Sequence, residues 1–142
     1  MKTIRRKSRQ REKIYQIIKA SAGHPTAQSV YETLKKELPS LSLGNVYRNI
    51  KILSEQQRIA CREFGDGIEH YDAIVAMHYH FICEQCKNVS DFSMPLQEII
   101  TKKAQKTSSH SIKGHTIQFY GVCEKCNKER IASNKKVMTK VL

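Results

Sequence analysis

Apolar residues recur at the helical interval three times in the first half of the chain. Between Ser8 and about Ala20, Ile14, Ile17 and Ile18 share a face while Arg11, Lys13 and Lys19 take other positions, which predicts a short amphipathic helix. After Gly23-His24-Pro25, Thr26 is placed to cap a second helix with Val30, Leu34 and Tyr31 inward. Pro39 ends it, because proline offers no amide donor and clashes with the preceding turn. Ser42 caps a third helix, from Ser42 to Gln56, in which Val46, Ile50 and Leu53 form the buried stripe and Asn45, Tyr47, Arg48 and Lys51 point elsewhere. The period then changes to two. Arg58 to Phe64 and Ile68 to Ala73 read as strands joined by Gly65-Asp66-Gly67, whose glycines tolerate the positive φ of a tight hairpin. A hairpin directly behind a helix-turn-helix reads as a wing.

The second half has a different grammar. His78 to Cys83, Asn88 to Ser93 and Thr116 to Val122 read as strands, with a helix from Pro95 to about Lys106 between the second and third. The expected fold class is therefore α+β: an N-terminal winged helix-turn-helix over 1–75, then a small α+β domain over 76–142, with Ala73 to Ala76 as the hinge. Each domain is too small to rely on a hydrophobic core alone.

Charge narrows the partners. The 142 residues hold 25 Lys and Arg against 13 Asp and Glu, a formal net charge of +12, which favours a polyanion such as nucleic acid. Seven of the cations, from Lys2 to Lys13, crowd the first thirteen residues, where Glu12 is the sole acid. Such a run reads as a basic helix along phosphates or as a solvated tail. No apolar run approaches the roughly 20 residues of a membrane span, and the charged start lacks the apolar stretch of a signal peptide. The chain reads as cytosolic, where paired thiols are more often metal ligands than disulfides.

Two groups of residues carry metal chemistry. Cys83-Glu84-Gln85-Cys86 and Cys123-Glu124-Lys125-Cys126 are Cys-x-x-Cys pairs 36 residues apart, each at the end of an expected strand. Four thiolates close a tetrahedron around structural Zn2+ and would staple a domain with a small core. A redox pair and two disulfides also fit the spacing, but both need an oxidising step. Cys61 belongs to neither pair and reads as a small strand residue. The second group is His24, Asp72, His78, His80 and Asp91. His78 and His80, two apart in a strand, leave it on one face. Imidazole and carboxylate without thiolate suit Fe2+ or Mn2+. By spacing alone, a lone surface His or Asp is more often only a solvated side chain than a ligand.

His24-Pro25-Thr26-Ala27, Ser42-Leu43-Gly44-Asn45-Val46-Tyr47-Arg48, His78-Tyr79-His80-Phe81-Ile82-Cys83-Glu84-Gln85-Cys86 and Tyr120-Gly121-Val122-Cys123-Glu124-Lys125-Cys126 together resemble the ferric uptake regulator family over nearly the whole chain. The resemblance implies a winged-helix DNA-binding domain, a dimerising domain, structural zinc on the four cysteines and a regulatory ion on the five His and Asp residues. Asp91 points to the peroxide-responsive regulators, since iron sensors more often carry Glu there. It implies a repressor that loses operator binding when iron-catalysed oxidation damages His24 or His78.

Several residues depart from that pattern. Arg48 stands where many peroxide regulators have Asn and iron regulators Arg, keeping open an iron- or manganese-responsive repressor that ignores peroxide. Ser8-Arg9-Gln10-Arg11 lacks the usual proline and so bears on where the first helix begins. His70 replaces a residue commonly Arg or Ser. Tyr79 stands where iron regulators often have Asp, arguing against a further metal site; His115 reads as a surface or core histidine. The expected DNA contacts are Arg11, Asn45, Tyr47, Arg48 and Lys51, presented by a homodimer to a pseudo-palindromic double-stranded operator. A small non-haem metalloenzyme is the rival of another class, disfavoured because half the chain is spent on a basic helix-turn-helix.

Overall fold

A computed structural model of the protein describes residues 2–139, with the side chains of 9–135. Contacts divide the chain into two compact units, Met1–Met77 and His78–Leu142.

The first unit contains α1 (Lys2–Ala20), α2 (Ala27–Lys35), α3 (Leu43–Glu55), β1 (Ala60–Glu63) and β2 (Glu69–Asp72). Helix α1 starts six residues before the expected Ser8: Lys2 to Lys7 contain neither Gly nor Pro, and Lys and Arg are good helix formers, so nothing in that run stops the helix. Thr26 caps α2 through a reciprocal pair, the Ser29 amide donating to Thr26 Oγ1 at 3.2 Å and the Thr26 amide to Ser29 Oγ at 3.0 Å. The helix ends at Lys35, ahead of Pro39. Ser42 caps α3 by accepting from the Asn45 amide at 3.2 Å.

The three helical stripes meet. Ile14 and Ile18 of α1, Val30 and Leu34 of α2, and Val46, Ile50 and Leu53 of α3 form one buried cluster with Leu41, Ile59 and Tyr71. Burial of each large side chain contributes about 1.5–3 kcal/mol, so no single helix stands alone. Tyr31 is only partly buried at its edge. The β1–β2 hairpin is antiparallel, with Ala60 opposite Asp72 and Glu63 opposite Glu69. Its turn holds Gly65 at φ 83° and Gly67 at φ 73°, conformations that cost a side chain-bearing residue steric strain. The hairpin is tied back by the Tyr71 amide, which donates to the Pro25 carbonyl at 3.0 Å.

The second unit contains β3 (Tyr79–Cys83), β4 (Val89–Phe92), α4 (Glu98–Thr107), β5 (Gln118–Gly121) and α5 (Glu124–Thr139). The sheet order is β4-β3-β5, antiparallel between β3 and β4 and parallel between β3 and β5. A parallel neighbour needs a crossover, and the segment bearing α4 supplies it. Helix α5 has no counterpart among the elements predicted from sequence. Its run Glu124-Lys125-Cys126-Asn127-Lys128-Glu129-Arg130 carries no apolar stripe, so periodicity offers nothing to detect. Among the described residues, no helix is long and apolar enough to cross a membrane.

Candidate metal centres and candidate nucleic-acid interface

The parallel register of β3 and β5, which sets Cys83 opposite Gly121, brings both Cys-x-x-Cys segments to one end of the sheet. After β3 the chain turns tightly: the Lys87 amide donates to the Cys83 carbonyl at 2.9 Å, and Lys87 takes φ 61°. Cys123 follows β5, and Cys126 lies in the first turn of α5. The four sulfurs all lie within 4.8 Å of one another, with Cys86 and Cys123 at 3.9 Å, and all four residues are free cysteines.

Cys83 Sγ accepts the amides of Cys123 at 3.3 Å and Cys86 at 3.5 Å. These donors, Cys123 first, lower its pKa from 9.0 to about 6. Cys126 is pushed up to about 12, first by the neighbouring Cys123 and then by burial. One thiolate thus forms readily, and each further one meets the charge already there. A divalent cation relieves that repulsion, so the donor set fits a closed four-thiolate ion. Cys61 differs: it lies in β1, outside the cluster, and partial burial and then the charge of Glu69 raise its pKa.

The histidines and aspartates form a group within each unit. In the first, His24 Nε2 lies 3.5 Å from Asp72 Oδ2, both side chains about 5 % exposed or less. Asp72 Oδ1 accepts the Ile74 amide at 2.8 Å, and Arg62 Nε lies 3.4 Å from Asp72 Oδ2. Arg62 also donates to the carbonyls of Ile74 and Ala76 at 3.1 and 3.4 Å, which fixes the strand exit. This arginine was missed from sequence, because nothing local marks one side chain as binding a loop twelve residues on. His24 takes φ 51°, and its ring meets Phe64 edge-on at 5.6 Å.

In the second unit, Asp91 sits opposite His80 across β3 and β4. His78 Nε2 is 3.0 Å and His80 Nε2 3.7 Å from Asp91 Oδ1, with the two rings 4.4 Å apart. Two nitrogens and one carboxylate therefore converge, a donor set that fits Fe(II) or Mn(II) better than a thiol-preferring ion. Tyr79 points to the other face. Its hydroxyl accepts the Gln97 amide at 2.8 Å and bonds His115 Nε2 at 2.7 Å, while His115 Nδ1 bonds Thr101 Oγ1 at 2.7 Å. His115 is thus a partly buried link from β3 to α4.

On α3, Tyr47 is 50 % exposed, and Arg48 and Lys51 are exposed beside it. Tyr47 therefore lies outside the core cluster of the first unit. Asn45 is partly buried; its carbonyl accepts from Asn49 at 2.8 Å and its Oδ1 from Arg48 at 3.5 Å. Arg11 on α1 is half-buried.

A family model described as "Ferric uptake regulator family" matches residues 2–120. The chain belongs to the ferric uptake regulator family. It is accordingly a transcriptional regulator and not an enzyme. Among relatives, the peroxide operon regulator of Bacillus subtilis strain 168 is 31% identical over 120 residues, covering 84% of this chain and 83% of that protein. The peroxide-responsive repressor PerR of Staphylococcus aureus strain USA300 is 32% identical over 117 residues, 82% of this chain and 79% of that one. The solved peroxide stress regulator of Campylobacter jejuni superposes with a TM-score of 0.70 at 26% identity, covering 88% of this chain and 94% of that chain. The expected α+β fold with an N-terminal helix-turn-helix is that of this family.

Proposed function

We propose that this member of the ferric uptake regulator family is a homodimeric, cytoplasmic repressor that binds its operator when a regulatory Fe(II) or Mn(II) ion is bound and releases it on exposure to hydrogen peroxide. The carrying observation is the presence of two chemically distinct donor sets, four thiols in one and imidazole with carboxylate in the other. In this reading Cys83, Cys86, Cys123 and Cys126 hold structural zinc. His24 and Asp72 of the first unit and His78, His80 and Asp91 of the second serve one regulatory ion, so that its occupancy sets how the DNA-binding unit is carried. Moving a population from mostly open to mostly closed takes about 5.5 kcal/mol of differential affinity, and ligands contributed by both units are a source of it. The names of the curated relatives, together with Asp91, favour peroxide as the signal.

Iron held by these residues would supply the redox chemistry by which hydrogen peroxide, the two-electron oxidant, places one oxygen on an imidazole carbon of His24 or His78 and leaves as water. Unable to ligate as before, the oxidised histidine leaves the regulatory set incomplete. DNA contact falls to Tyr47, Arg48 and Lys51 on the outer face of α3, with Asn45 at its first turn and Arg11 on α1; a basic face of this kind draws the phosphate backbone. Homodimerisation is supported by β5, an edge strand in the described sheet, where Tyr120 is 75 % exposed.

The test is operator binding by the Fe(II)- and Mn(II)-loaded forms before and after peroxide, with mass spectrometry of the peptides bearing His24 and His78. Loss of binding in the iron form alone, with one oxygen added to either histidine, is expected. Retained binding and unchanged peptide masses in both forms would replace this reading by an iron- or manganese-responsive repressor indifferent to peroxide, which exposed Arg48 favours, since an arginine there suits a bidentate guanine contact.

A further inference from the structure

His70 is placed in β2 opposite Arg62, its side chain only 13% exposed, and both of its ring nitrogens are engaged within the first unit. Nδ1 lies 2.8 Å from the backbone carbonyl of His24, and Nε2 lies 2.7 Å from Asp66 Oδ2 in the Gly65–Gly67 turn. The other Asp66 oxygen accepts the Ile68 amide at 3.0 Å, which shapes that turn. Phe64 packs edge-on against both imidazoles, 5.6 Å from His24 and 5.2 Å from His70. His24 itself holds φ 51°, a conformation that an L residue keeps only when its surroundings impose it. The carbonyl that His70 binds is one of those constraints.

We propose that His70 is a positioning residue that clamps the backbone of His24 to the wing turn through Asp66, making the geometry at His24 and the place of the wing one mechanical unit. The inference rests on the reading that His24 ligates the regulatory ion. A ligand held this way transmits occupancy to the hairpin along two short hydrogen bonds. The wing then answers to the metal through β2 and not only through motion of a whole unit.

Hydrogen exchange of the peptide spanning residues 63–70, with and without Mn(II), tests it in the full-length, zinc-containing protein, with free Mn(II) followed by electron paramagnetic resonance. In the wild type, Mn(II) slows exchange there by about five-fold or more. In His70→Ala, and equally in Asp66→Ala, Mn(II) still binds but exchange in 63–70 no longer responds. The double variant is no worse than either single one, because both remove the same link. His70→Arg restores the response, since a guanidinium has donors for both oxygens. A wild-type response in folded His70→Ala overturns the proposal; should that variant fail to fold, a wild-type response in Asp66→Ala does the same. A wild type that binds Mn(II) without any change in its wing overturns this proposal alone, whereas a wild type that binds no Mn(II) overturns the sensor reading and this proposal with it.

Discussion

Cys83 Sγ accepts the backbone amide of Cys123 at 3.3 Å, forty residues further along the chain. The bond exists because β3 and β5 run parallel with Cys83 beside Gly121, so the two strands end together and the turn after each aims its amides at the same sulfur. The thiol cluster is thus built into the sheet, and an ion held there would stabilise the β3–β5 register and be stabilised by it.

Replacing Cys123 by Ser should therefore damage the fold as well as the site. The variant is expected to lose bound zinc and to melt more than about 10 °C below wild type, since structural zinc supplies much of the folding free energy of so small a unit. Zinc assay with thermal melting checks this; an unchanged melting temperature with a full complement of zinc would contradict it.

Acid should release the zinc within a definite window. The lowered pKa of the metal-free Cys83 thiol, about 6, leaves the sulfur mostly thiolate above that value and half protonated at it, so protons compete with the ion increasingly as pH falls toward and below 6. The stabilisation the thiolate offers the ion is complete well above pH 6 and lost as pH falls through it. Zinc trapped by a chromogenic chelator should stay low at pH 7.5 and rise between about pH 6.5 and 5. Release already complete at pH 7.5 would count against the amide-stabilised thiolate.

His24 invites two substitutions that separate ligand from backbone. At φ 51°, glycine fits without strain, whereas alanine costs about 1–2 kcal/mol. His24→Gly should keep nearly the thermal stability of wild type and His24→Ala should melt lower, yet both should hold zinc and lose Mn(II)-dependent operator binding by about ten-fold or more. Normal Mn(II) response in His24→Gly would remove this residue from the regulatory set.

The outer face of α3 should divide its labour. Lys51→Ala is expected to weaken binding to all sequences and reduce the salt slope by about one, as loss of a phosphate contact does, while Arg48→Ala should cost about 1–3 kcal/mol on the cognate site and little elsewhere. Titration over a range of salt on operator and random duplex distinguishes them. Equal losses on both duplexes for Arg48→Ala would make it a phosphate contact too.

Much of this was legible in the sequence. The stripes of α1 to α3, the caps Thr26 and Ser42, the glycines of the wing turn and the Cys-x-x-Cys spacing are all signals within a few residues of one another, where backbone period and side chain chemistry speak directly. The start of α1 was placed late because the run before Ser8 is charged and carries no apolar stripe, and α5 was missed because a polar helix has no stripe.

The sequence alone determined the element types of the first unit, the two donor chemistries and the family. The tertiary structure decided which distant groups meet: Cys123 with Cys83, Tyr79 with His115, Arg62 with the strand exit, and His70 with His24. The reason is physical. Periodicity and capping report how a segment buries its own face, whereas contacts across forty residues depend on strand register and on which faces pack together. Those arise from the cooperative burial of all segments at once.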